Sequence, residues 1–198
     1  MSVVAASAFS SNPLWYTTRS TGVVAFVLLT LSFAFGLAAT KRGLASRHWP
    51  RFATQALHRN VSLLALAFLV VHIFTTLADS YVHVGWWAWI VPGASGYRTV
   101  WTAFGTLAFD LVVILIVTSL LREHMSAALW RAIHWAAYVA WPFAFLHFLG
   151  TGTDAAHGRW GIYLDALALI FLGVAAGLRW LTSDEPSGPL RSVQRTVR

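Results

Sequence analysis

The sequence predicts an all-α integral membrane protein, a five-helix transmembrane bundle, on three observations. Of its 198 residues, 58% are hydrophobic and only 11% charged, a balance outside that of ordinary soluble domains. Five segments are long and apolar enough to cross a hydrocarbon core, which takes roughly 20 helical residues. The basic residues, which give a formal charge of +7, sit between these segments rather than in one patch. That placement argues for membrane topology and against a nucleic-acid partner.

The first span lies between Arg19 and Lys41 and contains no charge. The second runs from about Gln55 to Ala78, and the third from Thr99 to Leu121, interrupted by Asp110. The fourth covers about Leu129 to Leu149, and the fifth about Trp160 to Leu181. Lys41, Arg42, Arg47, Arg51 and Arg59 flank the first connection, Arg122 and Arg131 the third, and Arg179, Arg191, Arg195 and Arg198 the C-terminus. Arg19, Arg98 and Arg159 fall on the other side. Because basic loops stay in the cytoplasm, the expected orientation in the plasma membrane is N-terminus outside and C-terminus inside. The second and fourth spans are then parallel, both running from cytoplasm to exterior.

Residues 1–13 read as a short extracytoplasmic tail, without the charged start of a cleavable signal. Residues 14–181 read as the membrane domain, and 182–198 as a basic disordered tail at the cytoplasmic lipid surface. The connection HVGWWAWIVPGASGYR, His83 to Arg98, is expected to lie along the outer headgroups, where Trp side chains collect.

There is no cysteine, so thiolate ligands, iron–sulfur clusters and covalent CxxCH haem attachment are excluded. The histidines carry the remaining metal chemistry. His48, His83, His124 and His157 fall in loops or at helix ends and receive no assigned role. His58, His72, His134 and His147 lie inside the second and fourth spans, where a polar group is costly and marks function by default. In LHRNVSLLALAFLVVH, His58 and His72 are fourteen residues apart, about 21 Å along a helix and within about 40° of one face. His134 and His147 are thirteen apart, about 19.5 Å, but about 140° apart in rotation on an ideal helix. Pro142 lies between them and permits a kink or local rewinding.

Parallel helices pair His58 with His134 and His72 with His147. Two imidazoles meeting at one depth suit the two axial positions of a haem iron. Zinc wants about four ligands, and no second His or carboxylate lies one turn away. The expectation is therefore two stacked haems, passing electrons across the bilayer.

These residues resemble the ferric reductase-like transmembrane domain, shared by ferric reductases, NADPH oxidases and the haem-binding membrane subunit of the bacterial methionine sulfoxide reductase system. The resemblance covers roughly Phe52 to Gly150. It rests on the fourteen-residue step and on LWRAIHWAAYVAWPFAFLHF, in which Trp130, His134, Tyr138, Leu146 and His147 match the family's W-x-x-x-H, Tyr and L-H pattern. It implies two non-covalent b-type haems. Cytochrome b subunits of quinol-oxidising complexes also pair histidines on two helices, usually with other steps.

The chain has five predicted spans where six are common in the family, and no glycine-rich dinucleotide fingerprint. A separate electron donor, a flavoprotein or quinol, is expected, with an extracytoplasmic redox partner as acceptor. Arg59 and Arg131 beside the inner histidines, and Arg98 and Arg159 near the outer ones, are candidates to grip haem propionates. Asp110 is a candidate for proton movement or for a structural hydrogen bond. Phe68, Phe74, Trp135, Trp141, Phe145 and Phe148 are candidates to pack on porphyrin faces, and Gly173 to Gly177 to admit a neighbouring helix. The rival functions are an anchor subunit of a larger redox complex without a substrate site, and a haem-free scaffold or proton-handling protein.

Overall fold

A computed structural model describes residues 13–39, 51–79, 84–152 and 160–181. It is all-helical over these residues: α1 (Pro13–Ala39), α2 (Arg51–Ala78), α3 (Thr99–Leu120), α4 (Ala127–His134), α5 (Ala137–Thr151) and α6 (Trp160–Leu181), with short 3₁₀ turns at Trp86–Trp89 and Arg122–His124. Four spans, α1, α2, α3 and the α4–α5 pair, are long and apolar enough to cross a membrane. The described apolar part of α6, Gly161–Gly177, is shorter. Arg159, His48, His83, His157, residues 1–12 and the tail 182–198 lie outside the described residues.

The packing is that of a protein dissolved in lipid. Small and hydroxylated residues are buried, among them Ala25, Ala65, Ala108, Ala140, Thr30, Ser32 and Thr106. Large apolar residues such as Phe74, Leu120, Leu167, Ile170 and Trp180 are exposed. Lipid tails solvate large side chains as well as a protein core does, so helices associate where small residues allow close backbones. α1 packs on α2 and α3 on α5, and the two pairs join through two clusters. Phe26, Trp141, Ala168 and Leu172 make one; Val112, Leu115 and Ala140, with Leu29 of α1 and Leu69 of α2 packed against them, make the other. Phe26 stacks on Phe148 at 4.7 Å, and Trp141 on Phe145 at 5.4 Å. The indole N–H of Trp141 donates to the Thr30 hydroxyl at 3.0 Å, which satisfies its polar edge inside the bundle.

The fourth span departs from the single helix that its hydropathy predicts. It is two helices, with the break at Trp135 and Ala136 rather than at Pro142, which sits inside α5. Three backbone bonds here close over three residues instead of four: Ala136 to Ile133, Tyr138 to Trp135, and Val139 to Ala136. α4 itself begins at an ordinary cap, the Ser126 hydroxyl accepting from the Leu129 N–H at 3.2 Å.

The aromatic connection between α2 and α3 holds Trp86 and Trp87 outward, each 72% exposed, while Ala88 is buried. The Thr106 hydroxyl donates to the Ala88 carbonyl and fixes this turn to α3.

Candidate functional site

The rewound segment decides where His147 points relative to His134. A 3₁₀ residue turns the chain about 120° and rises about 2.0 Å, against about 100° and about 1.5 Å in an α-helix. The three short bonds enclose residues 134 to 138. Overwinding around Trp135 and Ala136, the two residues outside both helices, turns the thirteen residues further than an ideal α-helix would and brings the step toward the fourteen-residue step of α2.

Both predicted pairs form. His58 and His134 face each other with ring centroids 6.2 Å apart and planes at 80°. His72 and His147 do so at 6.3 Å and 78°. A metal–imidazole bond of about 2.0 Å, with about 1.1 Å from nitrogen to ring centre, gives about 6.2 Å for two imidazoles on one ion. Among the described residues no three His or carboxylate side chains gather as a metal cluster. Each level therefore offers two nitrogens, which fits a group that brings its remaining ligands with it, as a porphyrin does.

Three of the four imidazoles are held in the same way. The Nδ1–H of His72 donates to the Thr18 carbonyl at 2.8 Å, that of His58 to the Ser32 carbonyl at 2.8 Å, and that of His147 to the Trp101 carbonyl at 2.9 Å. A carbonyl only accepts, so each bond places the proton on Nδ1 and leaves the Nε2 lone pair for a metal. Four residues after each carbonyl comes a glycine: Gly22, Gly36 and Gly105. The imidazoles lie over these glycines. A Cβ at Gly22 would come to 2.9 Å from the His72 ring, one at Gly36 to 3.4 Å from His58, and one at Gly105 would overlap His147.

On α1 the two carbonyl–glycine units are themselves fourteen residues apart, matching the two histidines of α2 that they hold. The His58 unit has an added hydroxyl chain, with Ser32 and Ser62 in contact at 2.6 Å and Ser62 donating to the His58 carbonyl at 2.7 Å.

At the His72–His147 level the helices enclose a cavity of about 280 Å³ lined largely by apolar groups, including Phe26, Leu69, Trp89 and Phe148. Arg19, Asp79 and Tyr97 are among its polar residues near the helix ends. Its apolar lining suits a flat organic cofactor.

The predicted arginines are not all gathered at the histidines. Arg98 forms the left-handed residue before α3 (φ 41°) and donates to the Gly150 carbonyl at the end of α5. Arg59 and Arg131 are exposed on α2 and α4. Of the aromatic candidates, Trp141 is buried and Phe145 and Phe148 pack around Phe26, whereas Phe74 and Trp135 are each 64% exposed and turn outward.

The sequence reading did not pick out Arg19 in the cavity wall, the three glycines behind the histidines, or Asp165. Asp165 is 3% exposed, with neither carboxylate oxygen hydrogen-bonded. The signal for the glycines was present in TRSTG, SFAFG and WTAFG, of which the first two repeat at the histidine interval. Asp165, like Asp110, is a carboxylate inside an apolar run.

The family model described as "Ferric reductase like transmembrane component" matches residues 21–151. No curated protein and no solved structure matches the chain.

Proposed function

The chain belongs to the ferric reductase-like transmembrane family, and from that premise we propose that it is a di-haem b-type cytochrome that carries single electrons across the membrane. It is a multi-span, ferric reductase-like redox protein; the haem number, the ligands and the direction are our reading. His58 and His134 hold the inner haem, and His72 and His147 the outer one. When bound, each haem supplies a one-electron iron couple at its level.

The chain's own residues do the rest. The Nδ1–H bonds of His58, His72 and His147 fix tautomer and ring angle and make the Nε2 of each ring a stronger donor. Phe26, Ala65 and Trp141 fill the bundle between the levels and exclude water. Arg19 lines the outer cavity with its guanidinium over the Trp15 ring, and Arg59 and Arg131 remain candidates at the inner end. Arg98 is engaged with Gly150 and acts on the helix end.

The electron donor is a separate cytoplasmic flavoprotein or quinol, and the acceptor lies outside, with the N-terminus outside and the C-terminus in the cytoplasm. The observation that carries this reading is the pair of near-perpendicular histidine couples at 6.2 and 6.3 Å. Reduced-minus-oxidised spectra with haem quantified per chain test it. Two low-spin b-type haems are expected. Replacing His72 or His147 should remove one of them, and replacing His58 or His134 the other; crossed losses overturn the pairing.

A further inference from the structure

The fourth histidine is held differently from the other three. His134 Nδ1 is buried and has no hydrogen-bond partner. Fourteen residues beyond Trp101 and Gly105, the equivalent positions on α3 are Leu115 and Ser119. A serine thus stands where the other three imidazoles have a glycine. Its hydroxyl is engaged by the indole N–H of Trp130 at 3.4 Å. The His134 ring packs instead on that indole, 4.8 Å away and 23° from parallel, and the Arg122 guanidinium lies over the same ring system at 4.5 Å. His134 is also the last residue of α4, where the backbone rewinds.

An axial imidazole without an Nδ1 bond is a weaker donor, because that bond is what raises the basicity of the other ring nitrogen. The indole stack positions the His134 ring but does not supply that bond. We infer that the inner level holds its iron with one fixed imidazole, His58, and one displaceable imidazole, His134, and so admits a small neutral diatomic ligand of the carbon monoxide or oxygen class.

The inference rests on the di-haem reading. The step is a ligand exchange: the bond between His134 Nε2 and ferrous iron breaks, its electron pair staying with nitrogen, and the diatomic's lone pair makes the new bond. No electron or proton is transferred.

Carbon monoxide added to the dithionite-reduced, purified full chain tests this, after haem has been counted. A count other than two haems refutes the di-haem reading; the carbon monoxide response is interpreted only on a two-haem preparation. The expected result is that one haem of the two takes carbon monoxide while the other stays six-coordinate. If neither reacts, or both react equally, the inference is overturned.

The double variant His72→Ala with His147→Ala, which removes the outer haem, should keep the reactive one. Loss of the reactive haem with the outer pair overturns the assignment. Ser119→Gly opens the α3 face to His134 and should lower carbon monoxide affinity several-fold; unchanged affinity overturns the part given to Ser119.

Discussion

His72 and Gly22 meet across the α1–α2 contact: the imidazole donates to the Thr18 carbonyl at 2.8 Å and lies where a Cβ on Gly22 would approach it to 2.9 Å. The glycine is needed for the room it leaves beside its own helix.

That room is graded among the three glycines, and so is the expected effect of filling it. Gly36→Ala brings a methyl to 3.4 Å from His58, a tight contact that a small shift relieves, and both haems should survive. Gly22→Ala places it at 2.9 Å from His72 and should lower outer haem content in part. Gly105→Ala drives it into His147 and should abolish the outer haem, since overpacking of a rigid interior costs about 1–3 kcal/mol or more. Haem per chain across the three variants checks the order.

Ser32 lies beside His58, yet its backbone makes the stronger contact. The Nδ1 distance is 2.8 Å to the carbonyl and 3.3 Å to the hydroxyl. Ser32→Ala is expected to keep the inner haem spectrum while losing the contact with Ser62, at a cost of about 1 kcal/mol in a detergent unfolding measurement. Loss of the haem would assign the ligand-orienting role to the hydroxyl.

Four of the five expected spans and the facing of the histidines were legible because they follow from one-dimensional regularities, span length and a shared axial interval, whereas the division of the fourth span into α4 and α5 was not. The supports of the histidines were less so. Thr18, Ser32 and Trp101 act through carbonyls, which every residue type carries, so their side chains give no sign of the role. The outward turn of Phe74 and Trp135 was also hidden, since lipid and cofactor favour the same aromatic residues. Arg98 was from sequence a candidate to grip a haem propionate, but its left-handed backbone before α3 aims it at Gly150.

Trp141 lies between the two levels, seven residues after His134 and six before His147, and is 7% exposed. Trp141→Phe retains most of the packing against Phe26 and Phe145 and loses the bond to Thr30. Because the Thr30 hydroxyl also donates to the Phe26 carbonyl at 2.9 Å, it keeps a partner, and the cost should be about 1 kcal/mol. Trp141→Ala leaves a cavity and should cost about 3–5 kcal/mol. Thermal unfolding of both variants in detergent measures the difference.

The last prediction separates proline from the rewound turn as the source of the register between His134 and His147. Pro142 is exposed and sits within α5, whereas the short bonds end at Val139. Pro142→Ala should therefore leave both haems in place, and the restored backbone donor should stabilise the helix. Inserting one alanine after Ala136 has the opposite expected outcome. It turns everything beyond it by about 100° and lifts it by about 1.5 Å, carrying His147 away from His72 while His134 stays opposite His58. The outer haem should then be lost and the inner one kept. Retention of the outer haem in the insertion variant, or its loss in Pro142→Ala, would move the register device from the 3₁₀ turn to the proline.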